Sequence, residues 1–116
     1  MFSEEQANSE RRKFPRADFR EPVKFDLPDC SLSGGCLARD ISQGGLRLNF
    51  EYFVKPHAVM MVELRLSPNE EAVLVEGRVV WANQVPLSER YQLGVEFTGN
   101  NEDIQQNIRR YVVSHR

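Results

Sequence analysis

Apolar and polar residues alternate with a period of two through most of this chain, and that alternation predicts strands. Val23, Phe25 and Leu27 are separated by Lys24 and Asp26 and stop at Pro28, the pattern of a half-buried strand. Pro28 to Gly35 is rich in turn-forming residues and reads as a loop. A second run, from about Cys36 to Ile41, ends at Ser42-Gln43-Gly44-Gly45. Adjacent glycines there permit positive φ, and so a tight reversal into Leu46, Leu48 and Phe50. After a break at Lys55-Pro56-His57, Met60, Val62, Leu64 and Leu66 share one face, with Met61, Glu63 and Arg65 on the other. Val73, Val75, Gly77, Val79 and Trp81 alternate next, and Tyr91, Leu93, Val95 and Phe97 do so after a loop at Pro86.

The period changes near the C-terminus. Ile104, Ile108, Tyr111 and Val112 fall on one face of a short amphipathic helix. Asn100 or Asn101 can cap its first N–H groups, Glu102 and Asp103 stand at the positive end of its dipole, and Arg109, Arg110 and Arg116 lie toward the negative end. About six strands with no helix between them predict a mainly β fold: a six-stranded antiparallel β-barrel, closed to remove its edges, with a C-terminal α-helix against it. Residues 1–9 are expected to form a flexible tail and 10–116 a single domain, with the first regular structure near residue 20.

Composition narrows this picture. A chain of 116 residues, 41% hydrophobic and 28% charged, has the make-up of one globular domain. Its opening, MFSEEQANSERRK, is polar where a signal peptide needs an apolar stretch, and no apolar run is long enough to cross a membrane. A cytoplasmic protein without membrane insertion is the expectation. Cys30 and Cys36 lack further cysteines or a nearby histidine to complete a metal tetrahedron, so reduced thiols and no metal are expected. His57 and His115, far apart in sequence, read as surface residues.

Net charge is −2, which argues against a nucleic-acid polymer as partner. Charge is nevertheless local: Arg11, Arg12, Lys13 and Arg16 make a basic cluster suited to an anion. Two short motifs carry candidate chemistry, the R-x-x-x-R of Arg12 to Arg16 and the D-x-S-x-x-G of Asp40 to Gly45. Alone, the first is an ordinary solvated charge run and the second an ordinary turn.

In this order, and followed by Gly77-Arg78-Val79-Val80-Trp81 and Leu93-Gly94-Val95-Glu96-Phe97, the motifs resemble those of the PilZ domain family over about residues 10–113. The resemblance implies a bacterial, non-catalytic receptor for cyclic di-GMP that acts on a protein partner, here unidentified. It places the family's arginine pair on Arg12 and Arg16 and its second motif on Asp40, Ser42 and Gly45. It also implies that Arg11 influences whether one nucleotide or an intercalated pair is bound. Trp81 has two readings, barrel packing by its alternation and a flank for the nucleotide.

The chemistry of the residues agrees. A guanidinium can bond bidentately to a phosphate or to guanine O6 and N7. A carboxylate such as Asp40 can accept from guanine N1–H and the 2-amino group, Ser42 can add a hydroxyl contact, and Gly45 leaves room for a close backbone approach. Residues 1–20 are expected to be mobile without ligand and to order over the barrel with it, changing the surface a partner meets. An enzyme is disfavoured, since no nucleophile–base set, H-E-x-x-H or P-loop is present. The alternative is an adaptor of the same fold that binds protein without nucleotide.

Overall fold

The computed structural model describes residues 14–99 and 101–115. Among the described residues, seven strands and one α-helix follow in order: β1 (Ala17–Asp18), β2 (Pro22–Leu27), β3 (Leu32–Ser42), β4 (Gly45–Phe50), β5 (Val59–Leu64), β6 (Val73–Gln84), β7 (Tyr91–Phe97) and α1 (Glu102–His115). Every strand pairing is antiparallel. Going round the sheet, β3 pairs with β2, β2 with β5, β5 with β6, β6 with β7 and β7 with β4, and β4 returns to β3. Six strands therefore close into a barrel, as the alternation predicts, and β1 adds two residues to the side of β3.

The inward set is the alternating one. Phe25, Ile41, Leu46, Leu48, Met60, Val62, Leu64, Val79, Leu93 and Val95 are all buried in one cluster. Each fully buried side chain of this size contributes roughly 1.5–3 kcal/mol of transfer free energy. In α1, Ile108 and Val112 are buried and Ile104 and Tyr111 half-buried, the face the spacing predicts. Asn101 is the cap: its Oδ1 accepts the Ile104 N–H at 3.1 Å. The helix packs on β1 and β3. Among the described residues, no helix is long and apolar enough to cross a membrane.

Four expectations are corrected. Pro28 to Gly35 is not a loop throughout: only Pro28–Cys30 turns, Ser31 follows with φ of 52°, and β3 already begins at Leu32. Pairing outweighs composition here, because Gly34 and Gly35 stand opposite Phe25 and Lys24 and complete the β2–β3 ladder. The glycines at the β3–β4 reversal do not supply left-handed backbone, as no described glycine has positive φ. They supply space instead, for reasons given below.

Regular structure also begins before residue 20. Ala17 and Asp18 pair with Ile41 and Asp40, and Ala17 and Phe19 are buried. The Phe19 ring meets Tyr111 of α1 edge-on at 5.4 Å, and the Tyr111 hydroxyl donates to the Asp18 carbonyl at 3.1 Å. Residues 17–19 thus pack on the barrel, ahead of the start expected near residue 20. The expected tail at 1–9 lies outside the described residues. Finally, Trp81 is not a core residue, because a register shift precedes it.

Candidate ligand-binding site

Two extra residues, one in β3 and one in β6, set the geometry. Ala38 and Ile41 are both fully buried although three positions apart, which a strict period of two cannot give. The ladder to β4 shifts between Ala38 and Asp40, leaving Arg39 as a bulge. The bulge turns Asp40 onto the outer face of the barrel. In β6 the ladder shifts likewise between Val79 and Trp81, leaving Val80 extra and turning Trp81 outward.

Register then aligns the outward positions across four strands. Asp40 pairs with Arg47, Arg47 with Gly94 and Gly94 with Trp81. At about 4.8 Å per strand, this row runs roughly 14 Å across the barrel wall. Gly94 is required in it, since a Cβ there would fall 2.3 Å from the Trp81 indole. The indole occupies the place of the missing side chain.

Asp40 sits on the outer face yet is only 7% exposed, because two arginines cover it. Arg16 Nη1 donates to its Oδ1 at 2.7 Å. Arg47 Nε donates to its Oδ2 at 2.7 Å, and Arg47 Nη2 meets the same oxygen. The arginine side chains are themselves 24% and 30% exposed. This is a partly screened three-group cluster with both cations available to solvent.

The turn next to it is stiff. Ser42 is buried and its Oγ accepts the Gly44 N–H at 3.1 Å. A Cβ on Gly44 would lie 3.4 Å from the Phe14 ring, so Phe14, within the arginine motif, rests on this turn. A Cβ on Gly45 would come to 2.0 Å from the Val95 carbonyl oxygen. Gly45 therefore gives room to the backbone of β7, a reason internal to the barrel.

Of the residues singled out from the sequence, Arg16, Asp40, Ser42 and Gly45 come together at the β3–β4 turn. Trp81 lies at the far end of the same outer row, and Arg11 and Arg12 fall outside the described residues. Sequence reasoning missed Arg47 and Phe14. Arg47 was findable: Ser42 pairs with Gly45 across a two-residue turn, so two steps outward on each strand Asp40 must face residue 47. A groove of about 340 Å³ lined by Phe25, Gly34, Cys36, Leu37 and Tyr52 lies toward the other end of β3 and holds none of these residues.

Among the described residues, the polar partners of Asp40 are Arg16 and Arg47, with no cysteine or histidine between them. Cys30 and Cys36 are free thiols, and burial pushes the Cys36 thiol up to about 12. His57 and His115 are exposed, and His115 stacks on Tyr111 at 3.9 Å. Among the described residues, no group of three or more His, Cys, Asp or Glu could hold a metal ion.

In a barrel of this topology an arginine from the N-terminal segment meets an aspartate near the end of β3. The PilZ domain family model matches residues 10–114, and the chain belongs to that family. The PilZ domain of YcgR from Escherichia coli, solved with c-di-GMP, superposes with a TM-score of 0.70 at 13% identity, covering 90% of this chain and 91% of that one. MrkH from K. pneumonia in its c-di-GMP complex gives 0.71 at 21% identity, over 90% and 52% of the two chains. The Bacillus subtilis inhibitor of motility MotI/DgrA gives 0.75 at 20% identity, over 90% and 50%. The chain thus spans about half the length of MotI and MrkH. A comparison with curated protein sequences finds no match.

Proposed function

We propose that this chain is a receptor for cyclic di-GMP that changes its N-terminal surface on binding and so signals to a bacterial protein partner in the cytoplasm. The observation that carries this reading is the Arg16–Asp40 ion pair. It brings one arginine of the first motif against the aspartate of the second, so a phosphate-binding donor and a guanine-binding acceptor share one place. PilZ relatives of the same fold have been solved with c-di-GMP bound. Catalysis is no part of the reading: Ser42 Oγ accepts a backbone N–H, and no base stands among its hydrogen-bond partners in the described residues.

In this reading Arg12 and Arg16 bind phosphate and the Hoogsteen edge of guanine, while Asp40 and Ser42 read guanine donors. Gly45 keeps the turn close to β7, and Trp81 flanks a base. Arg11 serves the second nucleotide of an intercalated pair. Arg12→Ala and Arg16→Ala should each cost on the order of 2–4 kcal/mol, or roughly 30- to 1000-fold in affinity, with circular dichroism unchanged. Unchanged affinity in both variants overturns the site. Arg11→Leu should move calorimetric stoichiometry from two toward one. Amide exchange over residues 8–18 should slow when nucleotide is added, and equal exchange in both states removes the surface change.

A further inference from the structure

We propose that Arg47 is the positioning residue that makes the site selective for guanine, acting by holding the Asp40 carboxylate in one plane. The proposal rests on the receptor reading above and extends it to a residue outside both motifs. Asp40 is held from two sides, with Arg16 on Oδ1 and Arg47 on Oδ2. One guanidinium on each oxygen fixes the torsion of the carboxylate, which otherwise turns freely.

The two arginines are not equivalent anchors. Arg47 lies mid-strand in β4, between Leu46 and Leu48, both fully buried. Its Nε and Nη2 both meet Oδ2. Arg16 comes from an irregular stretch before the two-residue β1. When a dianionic nucleotide draws Arg16 toward phosphate, Arg47 stays in place. Asp40 then keeps its charge and orientation while Oδ1 is released.

The released oxygen is the one that Arg47 does not bind, and its two lone pairs can accept guanine N1–H and a 2-amino hydrogen. Adenine offers neither donor at these positions. Without Arg47 the carboxylate can rotate to follow Arg16, and the guanine donors lose a fixed acceptor. The polar side-chain contacts of Arg47 among the described residues are both with Asp40, so its effect on the base passes through that carboxylate.

The test couples a side chain to a single ligand group. The wild-type chain, Arg47→Met and Arg47→Lys are each titrated by calorimetry with cyclic di-GMP and with cyclic di-IMP, which keeps N1–H, O6, N7 and both phosphates but lacks the 2-amino group. The wild type should prefer cyclic di-GMP by about tenfold or more, the worth of one hydrogen bond to a charged group. In Arg47→Met that preference should shrink to within about twofold, because the acceptor is no longer aligned. Arg47→Lys, with charge but no fork, should also lose most of it.

A preference that survives in both variants overturns the proposal, even if overall affinity falls, because neither the fork nor the charge of Arg47 would then set the choice of base. Arg47 is on the outer face, so thermal unfolding followed by circular dichroism should stay cooperative. If the methionine variant fails to fold, the lysine variant decides. Wild-type chain that binds neither nucleotide overturns the receptor reading itself, an outcome distinct from a preserved preference.

Discussion

Replacing Asp40 by Asn separates the two roles that the geometry gives this residue. The substitution keeps shape but puts an NH2 group where one carboxylate oxygen now faces a guanidinium. Either Arg16 or Arg47 then meets a donor in place of an acceptor. Breaking a fully buried pair costs about 3–5 kcal/mol. Here the cations are 24% and 30% exposed, and solvent screening reduces the expected loss to about 1–2 kcal/mol. For a domain of this size that lowers the melting temperature by roughly 4–8 °C.

Binding should suffer separately. The asparagine keeps one acceptor but loses the charge, and a hydrogen bond to a charged group is worth about 1.5–3 kcal/mol, or roughly 10- to 150-fold in affinity. Calorimetry with cyclic di-GMP at a temperature well below the melt, together with a thermal scan of the same sample, reads both effects. A lower melting temperature with affinity within about twofold of wild type would mean that Asp40 only latches the N-terminal segment. No change in either would refute the ion-pair geometry altogether.

Other expectations follow from packing and burial. Gly45→Ala puts a methyl against the Val95 carbonyl oxygen and should cost about 1–3 kcal/mol of stability by overpacking; a denaturant midpoint equal to wild type would contradict the close approach of β4 and β7. At pH 8 a thiol reagent should label exposed Cys30 readily and leave Cys36, whose thiol burial pushes up to about 12, unmodified in the folded state; peptide mapping that finds equal labelling would show the β2–β3 region to be open. Burial first, then Glu21 and Asp18, raise the Tyr111 hydroxyl, so the unfolded chain loses this proton before the folded one. Stability from Tyr111 is full below pH 10 and declines as pH rises beyond it, and Tyr111→Phe should flatten that decline in chemical denaturation from pH 9 to 11.

The barrel was legible because its strands alternate cleanly: Val23-Phe25-Leu27, Leu46-Leu48-Phe50 and Met60-Val62-Leu64 all face inward as their spacing requires. The helix was legible for the same reason, with Asn101 confirming its start. What hid were the places where pairing overrides local preference. Gly34 and Gly35 look like loop residues, and only a partner strand makes them part of β3. Ala17 and Phe19 offer too short an alternation to announce β1, which exists because Tyr111 and β3 receive it.

The site was half legible. Arg16, Asp40 and Ser42 stand together, as the family resemblance implies. The two bulges at Arg39 and Val80 leave no mark in composition, yet they turn Asp40 and Trp81 to the outside. Trp81 continues the Val75-Gly77-Val79 rhythm on paper and breaks it in space. Gly45 was read as space for a ligand, whereas the Val95 carbonyl already fills that space.

The measurement that reaches the central claim most directly is a calorimetric titration of the wild-type chain with cyclic di-GMP, run beside cyclic di-AMP and GTP. The account predicts saturable heat with cyclic di-GMP, a stoichiometry of two, and at least about 100-fold weaker binding of cyclic di-AMP, whose adenines cannot donate to Asp40. A stoichiometry of one would remove the role given to Arg11 and leave the site. Absence of heat with cyclic di-GMP, from protein that melts cooperatively, would contradict the account and leave the barrel as an adaptor that binds protein alone.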